Sequence, residues 1–222
     1  IAFCSTPVSP VEAKAEVQPA HAVFIMAEDL GPLAIDGSPM GRIRADDEHG
    51  IRQLIGHLVE TGSRRLSYVN GPDIPSNRLR RDAVLKSLEE LGIEPRIREY
   101  WTSLDREDLD NVARLVARER PDALICYDDK MALHLMDALR GEGLIVPDDV
   151  AVTGFDGIPF AAIANPRLTT VVQPAELLGE MAANALFDAI ETGKPPTDVT
   201  VPVSLAVRVS SVRKALRAEA EG

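Results

Sequence analysis

Short apolar runs alternate along this chain with longer segments in which apolar residues recur roughly every third or fourth position, the pattern of strands alternating with amphipathic helices. Ile1–Cys4, His21–Met26 and Met40–Ala45 read as strands, with a short helix over Val11–Val17. Asp46 and Asp47 offer N-cap oxygens to a helix whose inward stripe is Ile51, Leu54, Ile55 and Leu58, ended by Gly62. Leu66–Val69 is a buried strand, and Ser76 is placed to cap a helix carrying Leu79, Val84, Leu85, Leu88 and Leu91. Strands at Ile97–Trp101, Ala123–Tyr127, Val150–Phe155 and Leu168–Val172 follow, with helices over Arg106–Arg118, Lys130–Arg140 and Ala175–Thr192. Val199–Val209 reads as a closing strand, and the segment from Ser211 as a polar tail. Strands separated by helices of this length imply right-handed βαβ units, hence an α/β fold with a mostly parallel sheet covered on both faces.

Composition narrows the function classes. The 222 residues include 24 Lys+Arg against 35 Asp+Glu, a formal charge of −11, so phosphate backbones are repelled by this polypeptide. No apolar run approaches the roughly 20 residues of a membrane span, and no basic flank followed by an apolar run opens the chain as in a secretory signal. A cytoplasmic location without membrane contact follows as the expectation. Cys4 and Cys126 each end an apolar run, which suits buried thiols better than a disulfide. The four histidines lack zinc-ligand spacing, and no nucleophile elbow, phosphate loop or dinucleotide fingerprint occurs, so neither a metal, a cofactor nor an enzymatic activity is expected.

In open parallel sheets, ligands bind at the carboxyl ends of the strands. That rule selects Trp101, Asp128, Asp129, Asp156 and Gln173, joined by Ser76, Asn77, Arg78 and Arg80 at the start of a helix. An aromatic face with planar Arg, Asp and Gln groups suits a polyhydroxylated ligand: the ring stacks on an apolar sugar face while the planar groups take paired hydroxyls. The same aspartates could equally be capping residues at strand–helix junctions, and Arg80 a surface residue.

Several segments resemble the effector-binding core of LacI/GalR-type bacterial transcriptional regulators. They are Val146–Asp156 (VPDDVAVTGFD), Ile158-Pro159, and Asn165–Pro174 (NPRLTTVVQP), with weaker support from Gly62–Leu66, Asn70-Gly71-Pro72, Pro121-Asp122-Ala123, Asp128–Ala132 and Pro202–Leu205. The likeness runs from about residue 45 to 210. It implies two doubly wound parallel-sheet subdomains joined by three crossover strands, as in periplasmic sugar-binding proteins. One would comprise 1–45 and 173–201, the other 46–172 and 202–210, with 211–222 as tail. The first subdomain would be incomplete, and the basic helix-turn-helix headpiece of such regulators is not among these residues.

The resemblance assigns effector contacts to Ser76, Arg80, Trp101, Asp128, Asp156 and Gln173, in a cleft between the subdomains whose closure is transmitted to the headpiece. It implies a homodimer, with the Lys130–Arg140 helix and the Val199–Val209 strand as candidate interface elements, and operator DNA as a partner only through the headpiece. A solute-binding receptor of a sugar transport system shares the same architecture and is the alternative. The family usually carries Asn where this chain has Asp128. With Arg80 against Asp128 and Asp156, the visible contacts carry a surplus negative charge, so a neutral or cationic sugar or polyol is the expected effector. Removing Arg80 is expected to abolish the response without unfolding the domain.

Overall fold

The computed structural model describes residues 23–25, 34–35, 38–39, 41–93 and 98–213. The strand expected at Ile1–Cys4, the helix at Val11–Val17 and Cys4 lie outside them. The chain divides into two compact units, one formed by residues 1–46, 74–76 and 174–203, the other by 47–73, 77–173 and 204–222.

In the first unit, β1 (Val23–Ile25), β4 (Gly41–Ala45) and β10 (Val199–Val201) form a parallel sheet in the order β1-β4-β10. A small antiparallel ladder joins β2 (Ala34–Ile35) to β3 (Ser38–Pro39). Helix α6 (Ala175–Thr192) lays Leu178 and Ala182 against Ile43 and Val201, and Gly193 ends it in the left-handed conformation that glycine adopts without steric cost. Arg42 grips Asp198 through both its backbone amide and its guanidinium, fastening β4 to the segment before β10.

The second unit is a six-stranded sheet in the order β11-β9-β8-β7-β5-β6, formed by β5 (Leu66–Asn70), β6 (Arg98–Trp101), β7 (Ala123–Cys126), β8 (Ala151–Asp156), β9 (Thr169–Val172) and β11 (Ser204–Ala206). All are parallel except β11, which pairs antiparallel with β9. Strands β5, β7 and β8 are almost wholly buried, as a sheet covered on both faces requires; β7 is apolar throughout, while β5 and β8 also carry Ser67, Asn70, Thr153 and Asp156. Val69, Leu124, Cys126 and Val152 face α3 (Arg106–Glu119) and α4 (Asp129–Gly141). On the opposite face Tyr68 reaches Asn77 of α2 (Pro75–Glu90), and α1 (Asp47–Glu60) buries Ile51, Leu54, Ile55 and Leu58. The fold is therefore the mixed α/β, parallel-sheet architecture that the strand–helix alternation implies.

Four local expectations are corrected. Ser76 lies inside the first turn of α2, one residue after Pro75, so it is not the cap; proline suits that position because its missing N–H has no helical partner to lose. The inward face of α2 is Asn77, Arg80, Ala83, Val84, Ser87 and Leu88, while Leu79 and Leu91 face outward. The single strand expected over Val199–Val209 breaks at Pro202-Val203, where the chain passes from one sheet to the other and reverses its pairing sense. Ser211 does not open a loose tail. It is buried in a 3₁₀ turn (Val209–Ser211), with its hydroxyl 2.7 Å from His57 Nε2 and 2.6 Å from Thr169 Oγ1. A short helix over Pro159–Ile163 (α5) was not read from the sequence, because a single turn shows no periodicity.

Candidate functional site

The registers of the second unit align the carboxyl ends of its strands in one row. Trp101 pairs with Asn70, Val69 with Cys126, Ile125 with Thr153, and Asp156 with Val172. The rim of the sheet therefore runs Trp101, Asn70, Tyr127-Asp128, Asp156, Gln173. Trp101 closes the edge strand and is 55% exposed, so its indole is available to a ligand. Loop Asn70-Gly71-Pro72 is held from below by the Asn77 amide, which donates to Pro72 O at 3.0 Å while its oxygen accepts from Tyr68. Burial pushes the Tyr68 hydroxyl well above its ordinary value, so it stays a donor. Gly71 is needed there: a Cβ would come within 2.7 Å of the Tyr127 ring.

Arg80 is the hub beneath this rim. Its side chain is only 5% exposed. Nε donates to Asp47 Oδ2 at 2.8 Å, Nη1 to the Tyr127 carbonyl at 2.9 Å, and Nη2 to Asp156 Oδ1 at 3.2 Å. The guanidinium also lies over the Phe155 ring, 3.8 Å from its centroid, and near that of Tyr127 at 5.0 Å. Burial works against its charge, but Asp47 and Asp156 outweigh that penalty and hold it firmly protonated. Arg80 is thus not the surface residue that the sequence left open as the alternative. Each of its nitrogens already serves a protein oxygen, and it ties α1 and α2 to the ends of β7 and β8.

Asp156 ends β8 with φ of 107°, a left-handed conformation that few non-glycine residues adopt and that needs support from its surroundings. Gln173 supplies part of it, its backbone N–H donating to Asp156 O and its amide to Asp156 Oδ1 at 3.1 Å. Both side-chain bonds fall on Oδ1, in a carboxylate whose side chain is 36% exposed. Burial raises the Asp156 pKa, Arg80 partly opposes it, and Asp128, Asp129 and Asp47 add to the rise, which reaches about 7. Asp128 caps α4, its Oδ1 accepting the Met131 N–H at 2.6 Å. Asp129 is fully buried; its Oδ2 accepts from Ile158 N–H at 2.8 Å, and burial pushes its pKa up to about 6. Ser76, in the first unit, is half-buried in the first turn of α2.

Five of the six residues selected from the sequence therefore belong to one strand-end region of the second unit, and Ser76 is the one assigned to the other unit. Asp47, Tyr127 and Phe155 were missed as partners of Arg80. Asp47 had been read only as a helix cap, and the two rings as strand residues. The one available signal was the polar inward face of α2, where Asn77, Arg80 and Ser87 take positions that a purely structural helix fills with Leu or Ala.

The titration of Asp156 gives a stability prediction. Its folded pKa lies above that of the unfolded chain, so its contribution is present at low pH and is lost as pH rises through about 7. Burial lowers the His57 pKa, and that contribution is lost in the opposite sense, as pH falls below about 6.5. Between pH 6.5 and 8 the aspartate dominates, and stability should fall with rising pH. One proton gives at most about 1.4 kcal/mol per pH unit, and less here because over a third of the carboxylate meets water. Denaturant midpoints should show this slope in the parent and a flatter profile in Asp156→Asn; equal slopes would assign the titration elsewhere.

Residues 55–211 match the periplasmic binding protein-like domain. The arabinose metabolism transcriptional repressor of Geobacillus stearothermophilus is 34% identical over 159 residues, covering 67% of this chain and 43% of that protein. The regulator CelR of Thermobifida fusca is 32% identical over 185 residues, 81% of this chain and 54% of its own length. This chain thus spans about half the length of the relatives it matches. Among solved structures, the lac repressor dimer bound to operator and an anti-inducer superposes with a TM-score of 0.73 at 26% identity, over 86% of this chain and 56% of that one. A CelR–cellobiose complex gives 0.71 at 30% identity, over 85% of this chain and 58% of that one. The chain belongs to the periplasmic binding protein-like domain family, as an effector-binding core of the LacI/GalR type.

Proposed function

We propose that this chain senses a small sugar-like metabolite and passes its occupancy to a helix-turn-helix headpiece of a bacterial transcriptional regulator, acting in the cytoplasm as a homodimer and not as an enzyme. The observation that carries this reading is the rim itself: an exposed tryptophan at the sheet edge in line with Asp128, Asp156 and Gln173, with buried Arg80 bracing Asp156 from beneath. An indole face stacks on the apolar face of a pyranose or furanose ring, and carboxylate and amide groups orient its hydroxyls. Ser76 is the sixth expected contact, and operator DNA is engaged only through the headpiece. The cellobiose bound by the relative CelR supports a sugar as the class of effector.

Trp101 provides the test. A thermal-shift screen of sugars and polyols identifies the effector, since a ligand at about 100 times its Kd adds about 2.7 kcal/mol of stability. Trp101→Ala should then weaken that ligand by roughly 10- to 100-fold in calorimetry, the usual cost of removing an aromatic anchor. Because Trp101 is mostly exposed, the melting temperature without ligand should stay close to that of the parent. Unchanged affinity would remove Trp101 and the sheet edge from the site.

A further inference from the structure

We infer that the effector carries a cationic amine, held by the carboxylates of Asp128 and Asp156; this deepens the reading of the rim as the effector site and rests on it. Arg80 is the sole cation hydrogen-bonded to the rim carboxylates among the described residues, and it faces Asp47 and Asp156 directly, with Asp128 close enough to act on Asp156. One cation against three carboxylates leaves a negative surplus, of two charges when Asp156 is ionised and of one when it is protonated. Arg80 is largely committed to the protein: Asp47, the Tyr127 carbonyl and Asp156 take three of its five N–H groups, and its single charge is already outnumbered by the carboxylates around it.

The polar atoms left toward a ligand are mostly acceptors. They are the second oxygen of Asp156, the Asp128 carboxylate beyond its cap bond and the Gln173 amide oxygen, against the second amide N–H of Gln173 and the indole N–H of Trp101 as donors. Neutral hydroxyls satisfy acceptors but leave the surplus charge in place. An ammonium does both, and a charge-assisted bond to a partly desolvated carboxylate is the stronger kind.

The groups that set the charge of Asp156 are Arg80 from α2, Asp47 from the start of α1, Asp128 and Asp129 from the start of α4, and the Gln173 amide after β9. Raised toward neutrality by burial and by its acidic neighbours, Asp156 is partly protonated near pH 7. An ammonium ligand therefore drives a proton off it, and affinity climbs as pH rises toward 7, until the amine itself begins to lose its proton. A neutral ligand has no such requirement.

The test is a thermal-shift and calorimetric comparison on the full chain with matched triplets: glucose, galactose and mannose, each with its 2-amino-2-deoxy and 6-phosphate derivative, in a library of polyols and polyamines. The expected result is that amine-bearing compounds bind at least about tenfold tighter than their neutral parents near pH 7, where the amine is still largely protonated. That gap should shrink toward pH 5.5, proton release should appear as a buffer-dependent heat, and Asp128→Asn should close the gap with little change in folding. A hit confined to neutral sugars, equal in the parent and in Asp128→Asn, overturns the amine while leaving the effector site standing. Tighter binding of a phosphate overturns the charge reasoning itself. No response to any class, or responses insensitive to Trp101→Ala, overturns the assignment of the rim as the effector site.

Discussion

Arg80→Ala is expected to destabilise the second unit by about 2–4 kcal/mol. Removing one partner of a buried ion pair typically costs about 3–5 kcal/mol, because the other charge stays behind without compensation. Asp47 and Asp156 are 23% and 36% exposed, so water recovers part of that penalty and the lower range applies. For a unit of this size the loss corresponds to a fall of roughly 5–15 °C in melting temperature. Arg80→Lys should rescue little, since a single ammonium cannot reach Asp47, the Tyr127 carbonyl and Asp156 together or fill the place over the Phe155 ring. Any binding defect in Arg80→Ala then has two sources, and only measurements well below the variant's melting point isolate the loss at the rim. A variant that melts with the parent would show that the ion-pair hub contributes no stability and that Arg80 acts on ligand alone.

The contrast between Arg80 and Trp101 shows what the sequence could and could not disclose. Strand ends were legible because βαβ periodicity locates them, and parallel α/β sheets gather ligand contacts there. That reasoning put Trp101, Asp128, Asp156 and Gln173 on one edge without coordinates. Depth was not legible. Arg80 carries a charge at a position that a helical wheel assigns to either face, because α2 buries three polar residues and exposes two leucines. Burial of polar side chains depends on partners distant in sequence: Asp47 is 33 residues before Arg80, and Asp156 is 76 after it. The division of Val199–Val209 was hidden for a similar reason. Period-two alternation identifies a strand but does not say which of two sheets it joins, and only the proline at 202 hinted at a break. Ser211 looked like the start of a polar tail because its partners His57 and Thr169 lie 154 and 42 residues away.

Gly154→Ala should be as damaging as the loss of Arg80, through a different route. Gly154 lies in β8, a central strand of the sheet, paired with Thr170. A Cβ there would fall 2.3 Å from Asp129 Oδ1, with the Asp129 Cα and a Leu168 methyl each 3.1 Å away. None of these neighbours can yield cheaply. Asp129 is fully buried in the first turn of α4, its other oxygen holds the Ile158 N–H, and Leu168 is packed in the core. The methyl must therefore push α4 away from the sheet or turn the Asp129 carboxylate off Ile158, and overpacking of this kind costs about 1–3 kcal/mol. The broken hydrogen bond, to a carboxylate in a buried setting, adds roughly another 1–2 kcal/mol. The damage should also reach the rim, because Asp128 begins α4 and the Asp156-Gly157-Ile158 turn depends on Asp129 for its position. Gly157 has no room to absorb the shift: it sits at φ of 75°, where a Cβ would meet the Val172 backbone at 2.8 Å. Gly154→Ala should accordingly lower the denaturant midpoint by an amount comparable to Arg80→Ala, and its residual folded fraction should bind effector more weakly than the parent. Gly179→Ala, where an added Cβ meets nothing within 4 Å, serves as the control and should be neutral or mildly stabilising. If Gly154→Ala matched Gly179→Ala in midpoint and affinity, the contact between β8 and α4 would be looser than its geometry demands, and Asp129 would not be what holds the rim turn in place.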